Sequence, residues 1–129
     1  MRHRIDRKKL NLKSSHRTAL LRNQVIHFIE NGFLQSTKPT VKEVQRMTEK
    51  LVTLARQGTD FNVRRRVKQL LPYKESAVVR LLKEIAPRYK NRPGGYTRTI
   101  SMGRRISDIA PMLRLVWVES AETEGEAKR

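Results

Sequence analysis

Apolar residues recur at helical spacing through the first two-thirds of the chain. Leu21, Val25, Phe28 and Ile29 form one stripe between Ser14 and Ser15, which are N-cap residue types, and Gly32, a residue suited to the position just past a helix. The spacing predicts a helix over 15–31. Residues 33–37, ahead of Pro39, predict a short strand. The next helix starts between Thr37 and Thr40. Either Thr40 and Glu43 form a reciprocal capping box, or Pro39 sits in the first turn after an earlier cap. Val41, Val44, Met47, Leu51 and Leu54 then keep helical spacing up to Gly58. Asp60 is placed to cap a third helix carrying Val63, Val67, Leu70 and Leu71, stopped by Pro72. A fourth helix carries Val78, Leu81, Leu82 and Ile85 and is expected to end before Pro87, because proline has no amide to continue the ladder.

Beyond Pro87 the pattern changes. Residues 87–95 read as a basic loop with Arg88, Lys90 and Arg92 ahead of Pro93-Gly94-Gly95. Residues 96–101 alternate weakly and read as a strand; 102–111 read as a loop with Arg104 and Arg105. Residues 112–118 are β-branched and aromatic and give the best strand signal in the chain. The order helix–strand–three helices–two strands predicts an α+β fold in two layers, the helices stacked on one small mixed sheet. Residues 2–13 carry no apolar period and so have no face to bury. The expected organisation is a basic arm (1–13), one compact domain (14–118), and a mildly acidic tail (119–129). In the tail Glu119, Glu122, Glu124 and Glu126 stand against Lys128 and Arg129, and it is expected to be disordered.

The formal net charge is +17 over 129 residues. Repulsion on that scale destabilises a compact state until a partner neutralises it, and an arm without a core needs a polyanion to order it. Nucleic acid is the leading candidate. There is no cysteine, which excludes disulfides, thiolate metal sites and thiol catalysis. No apolar run reaches the ~18 residues of a membrane span, and the first residues lack the apolar centre of a secretory signal. A soluble intracellular protein is the expectation, with no membrane and no small-molecule substrate as partner.

The candidate contacts fall in two groups. The first is the leading segment with Arg2, His3, Arg4, Arg7, Lys8, Lys9 and Lys13, running into Arg17 at the positive end of the first helix, where backbone donors favour phosphate. The second is the loop with Arg88, Arg92, Gly94, Gly95, Tyr96 and Arg98. Its glycines admit a close backbone approach, its arginines suit bidentate phosphate contact, and its tyrosine can stack on a base or pack internally. Arg104 and Arg105 add charge nearby. Arg64, Arg65 and Arg66 span most of a helical turn and cannot all touch one surface. His3, His16 and His27 show no metal-ligand spacing, and Asp6, Asp60 and Asp108 form no acid–base pair, so no catalytic activity, metal or cofactor is expected. Aromatics make up 5% of the chain, too few for a single-strand stacking platform. The expected target is folded RNA read through backbone and shape. The rivals are a DNA-binding, nucleoid-type basic protein, an RNA-processing enzyme, and an adaptor for acidic proteins.

The opening MRHR, the segment Lys8–Asn11 with 14–20, and Arg22-Asn23 resemble the ribosomal protein seventeen family of the bacterial large subunit. The resemblance continues through Thr37, Pro39, Lys42, Glu43 and Leu54-Ala55. It returns at Ala86-Pro87-Arg88-Tyr89, at Arg92-Pro93-Gly94-Gly95-Tyr96-Thr97-Arg98, and at Gly103, Arg105, Asp108 and Ala110-Pro111-Met112. It implies a structural constituent of the large ribosomal subunit, bound to large-subunit rRNA on the solvent side near the peptide exit, beside neighbouring large-subunit ribosomal proteins, in the bacterial cytoplasm. By position it implies rRNA contacts from Arg2, His3, Arg4, Lys8, Lys9, Ser15, His16, Arg17 and Arg22, with Gly94, Gly95, Tyr96 and Arg98 as a second patch. Arg7 stands where many relatives have Gly, and Ser107 and Ile109 replace residues that are commonly Gly and Asn. That the family motif begins at Met1 is expected of a bacterial protein.

Overall fold

The computed structural model of the chain describes His3 and residues 6–118. Arg2 and Arg4 of the arm, and the tail 119–129, lie outside the described residues. Helix α1 (Ser14–Asn31) follows Lys13 directly, with no side-chain cap. Gly32 ends it in the left-handed conformation at φ 80°, its amide donating to the Phe28 carbonyl at 2.9 Å. Strand β1 (Phe33–Thr37) occupies the residues the pattern assigned to it.

Helix α2 (Lys38–Ala55) begins straight after Thr37 with Pro39 in its first turn, which decides between the two starts left open above. The Thr40–Glu43 capping box does not form. The Thr40 hydroxyl pairs with the Thr37 hydroxyl at 3.1 Å, and Glu43 accepts the backbone amide of Lys8 at 3.0 Å instead. Helix α3 (Phe61–Leu70) starts after Asp60, again without a side-chain cap.

The fourth helix differs from expectation. Helix α4 (Glu75–Arg80) passes through a π-helical turn (Leu81–Ile85) into a last turn, α5 (Ala86–Arg88), so the helix runs through Pro87 rather than stopping before it. In the π turn the Ala86 amide bonds to the Leu81 carbonyl, five residues back. The α ladder is already interrupted where Pro87 enters, and the ring need not displace an α bond.

Strands β2 (Thr97–Arg104) and β3 (Pro111–Trp117) are longer toward each other than expected, and the 102–111 loop shrinks to Arg105 through Ala110. Gly103, at φ 79°, absorbs a register irregularity between Ser101 and Arg104. The sheet order is β1-β3-β2 and both pairings are antiparallel. The expected mixed sheet is corrected to one antiparallel throughout, in which β1 and β2 run parallel only across the intervening β3.

The helices cover one face of this sheet. Val25, Phe28 and Ile29 of α1, Val41, Val44, Leu51 and Val52 of α2, and Leu81 of the π turn close over Leu34 and Leu115 of the sheet. At the β3 end, Trp117 stacks on Phe28 with centroids 4.4 Å apart and meets Tyr89 at 6.1 Å; Tyr89 in turn packs on Tyr96 at 5.3 Å. The other face of the sheet is open, carrying Phe33, Gln35, Arg98 and Ile100.

The β2–β3 hairpin closes on itself. The Arg105 amide donates to the Ala110 carbonyl (2.9 Å) and the Ile109 amide to the Arg105 carbonyl (2.8 Å). The Arg105 guanidinium donates to both oxygens of Asp108, at 2.8 and 2.5 Å. That guanidinium, with the Ala110 amide, pulls the Asp108 carboxyl from 3.8 to about 2. A depressed carboxyl favours the closed hairpin above its ordinary value and loses that contribution as the pH falls toward 2. In an NMR titration the Asp108 carboxyl should show a midpoint near 2, returning toward 3.8 in Arg105→Gln. A midpoint at the ordinary value in the unsubstituted protein would contradict this pairing in solution.

Candidate nucleic-acid interface

The arm approaches the domain at α2. Lys8 gives its amide to Glu43, and Asp6 accepts a 2.6 Å ion pair from Arg46. Leu10 and Asn11 both take left-handed backbone (φ 56° and 53°) in a tight turn closed by the Leu12 amide on the Lys9 carbonyl at 3.2 Å. Arg17, in the first turn of α1, donates to the carbonyls of Lys9 and Leu12 at 3.4 Å each. Leu10 and Leu12 are half-buried. Residues 6–13 therefore rest on the domain through backbone groups, the Asp6 carboxylate and two leucines, which corrects the expectation that this segment has no face to bury.

Because the anchoring uses main-chain groups and the Asp6 carboxylate, and no cationic side chain of residues 6–13, the side chains of Arg7, Lys8, Lys9 and Lys13 are left exposed and without an ion pair among the described residues. Arg7, Lys8, Lys9, Arg17, Arg46 and Lys50 line a cleft of about 620 Å³ between arm, α1 and α2, in which Glu43 is the sole carboxylate among the lining residues. His3, Ser15 and His16 are exposed.

The second group is organised by Glu49, also on α2. Its carboxylate accepts the amides of Tyr96 (3.2 Å) and Thr97 (3.0 Å) and the Thr97 hydroxyl (2.6 Å). Arg56, one turn after Thr53, donates to the Arg92 carbonyl, and Arg92 folds its Nε onto the Gly94 carbonyl at 3.1 Å. Tyr96 is fully buried, its hydroxyl 3.2 Å from that of Thr53. Of the two readings left open for Tyr96, stacking on a base or packing internally, the structure shows the second: the ring is spent on the core and serves to anchor the loop. Burial pushes the Tyr89 hydroxyl above its usual range, keeping it the neutral donor to the Val118 carbonyl at 2.6 Å.

The twin glycines differ. Gly95 takes left-handed backbone, at φ 63°, which favours glycine. Gly94 has ordinary backbone and open space where a Cβ would stand, so nothing inside the protein excludes a side chain there. Arg88 and Arg98 are exposed on either side, Arg98 on the open face of the sheet.

The remaining residues divide by what already holds them. Arg105 is committed to Asp108, while Arg104 is exposed and unpaired among the described residues. Arg22 is half-buried, its guanidinium 5.6 Å from the Tyr73 ring centre and its Nε without a partner. Arg64 and Lys68 share Glu75, at 2.5 and 2.9 Å, and their hydrogen bonds hold that carboxyl below its usual range. Arg65 and Arg66 stay exposed. Every described carboxylate except that of Asp60 accepts a hydrogen bond or ion pair, so the surplus of cations has no internal claim on it. Sequence reasoning missed Arg46 and Lys50 at the cleft and Glu43 and Glu49 as anchors. The signal for the last pair was two acids, six residues apart, on a helix otherwise surrounded by basic sequence.

Among the described residues no group of His, Asp or Glu is placed to hold a metal ion, and no helix is long and apolar enough to cross a membrane. Residues 20–118 match the family model described as Ribosomal protein L17, and the chain belongs to that family. The family is one of structural ribosomal proteins, not enzymes. The match begins within α1 and leaves the arm to be argued from its own contacts.

Glu49→Ala strands two backbone amides and a hydroxyl at the start of β2. It should lower stability by about 2 kcal/mol, the cost of unsatisfied part-buried donors, in urea unfolding followed by circular dichroism, and free the 92–98 loop to fast amide exchange. An unchanged midpoint and unchanged exchange would show that Glu49 does not set this loop.

Proposed function

We propose that this protein is a structural constituent of the bacterial large ribosomal subunit that grips large-subunit rRNA near the peptide exit. The basic arm and the 92–98 loop are its two points of contact, and neighbouring large-subunit proteins lie beside it. The observation that carries the reading is the division of labour in the arm. Its backbone is tied to Glu43 and Arg17, while Arg7, Lys8, Lys9 and Lys13 line or flank a cleft with one carboxylate. A site so arranged suits a sugar–phosphate strand, since each phosphate neutralised releases counterions to bulk. Arg88 and Arg98 flank Gly94, where a strand can approach the backbone without meeting a side chain. The duty is structural: the rigid α+β body fixes the relative positions of two basic segments, and RNA folded against both is held by them.

The triple substitution Lys8→Ala, Lys9→Ala, Lys13→Ala tests this while sparing the anchor, because Lys8 uses its amide and not its ammonium. Thermal unfolding should be unchanged. Binding to large-subunit rRNA fragments should weaken, and the slope of log K against log salt should flatten by about 2, three contacts at roughly 0.7 each. Equal affinity and slope in the two proteins would overturn the assignment of the arm, and a preference for duplex DNA over the rRNA would favour a nucleoid role.

A further inference from the structure

The tip of the β2–β3 hairpin has a chemistry unlike the basic surface around it. Ile106 is 99% exposed and Ile109 62% exposed, and Met102 is exposed on the strand that leads to them. Two isoleucines in water add nothing to the fold that carries them. Ile109 works against it: its φ of 59° lies in the left-handed region, which glycine and asparagine reach readily and a β-branched residue does not. The hairpin's own bonds hold it there, through the Ile109 amide on the Arg105 carbonyl and the two-pronged Arg105–Asp108 pair.

The charge of the tip is also settled internally. Residues 105–111 contain one cation and one anion, Arg105 and Asp108, and these neutralise each other. A polyanion gains little from such a surface. A second copy of this chain would bring one +17 charge against another. A rigid, apolar, charge-compensated knob fits the centre of an interface between different polypeptides, where charge is depleted and a few apolar anchors fill pockets on the partner.

We propose that the hairpin tip, through Ile106 and Ile109, seats in an apolar pocket of a different polypeptide within the same large subunit. The protein then meets RNA with its arm and a protein neighbour with its hairpin. This rests on the large-subunit reading above. Arg104, at the root of the tip and unpaired among the described residues, would meet acceptors on the pocket's rim.

The chain has no cysteine, so Ile106→Cys gives a single attachment point for a benzophenone maleimide. Large subunits carrying the labelled protein are purified and irradiated. One discrete polypeptide adduct that survives ribonuclease is expected. A parallel Lys9→Cys label, expected to give an rRNA adduct, tests the arm separately. If the Ile106 label yields a protein adduct while the Lys9 label yields none with rRNA, the rRNA reading of the arm fails and the hairpin inference stands. An Ile106 adduct with rRNA or with a second copy would overturn the inference, as would no adduct while Lys9 labels rRNA. Ile109→Asn supplies a second measurement. Relief of the left-handed strain should raise the melting temperature of the isolated protein, while loss of the anchor should weaken its retention on salt-washed subunits by about tenfold. Retention equal to that of the unsubstituted protein would contradict the proposal.

Discussion

Glu49 accepts two successive backbone amides from residues 47 and 48 positions further along the chain, and Glu43, six residues earlier on α2, accepts the amide of a residue 35 positions before it. These two carboxylates fix where the basic segments of the protein stand. Each takes its partner through the backbone, so neither cancels a cationic side chain of the segment it holds. Removing either would free a segment without changing its charge. The arrangement explains how a chain of +17 keeps a defined shape: its few acids are spent at junctions, between α3 and α4 through Glu75, between α1 and the start of α4 through Glu30 and Lys74, and at the hairpin through Asp108.

Most of the fold was legible because its elements are bounded by residues with one dominant conformational preference. Gly32 and Pro39 bracket β1, and the apolar stripes of α1 and α2 lead to the residues that are buried. The errors fall where tertiary contacts override a local rule. Pro87 is expected to end a helix, and the π turn before it lets the helix pass. The start of α2, left open between two readings, is decided by a distant contact as well: Thr40 and Glu43 have the spacing of a capping box, but the Lys8 amide takes the glutamate and Pro39 fills the first turn. Met102–Arg104 read as loop because nothing there is buried; the strand persists through cross-strand pairing, a long-range property that composition does not carry.

The candidate site was legible in its charge and less so in its geometry. The clusters at 7–13 and 88–98 and the pair Arg104-Arg105 were visible as composition, and folding gives several of their members partners inside the protein. Tyr96 belongs to an aromatic core with Tyr89, Trp117 and Phe28. Arg105 is closed on Asp108 and Arg92 is turned to the Gly94 carbonyl. No local pattern separates an arginine that braces a loop from one that awaits a phosphate; the distinction lies in which acceptor is within reach after folding. In the function proposed above, the cations that remain uncommitted, Lys9 and Lys13 in the arm and Arg88 and Arg98 about the second loop, are the ones offered to a polyanion, and ordering them costs less because their backbone is already tied down.

The central claim is that the cations left unpaired by folding are the ones that hold RNA. It is tested most directly by the reactivity of each lysine toward a small acetylating reagent, read by mass spectrometry for the isolated protein and for purified large subunits. Lys8, Lys9, Lys13 and Lys50 should react freely in the isolated protein, become protected in the subunit, and regain reactivity after ribonuclease treatment. If those four stay reactive in the assembled subunit, or stay protected once the RNA is gone, the account is wrong.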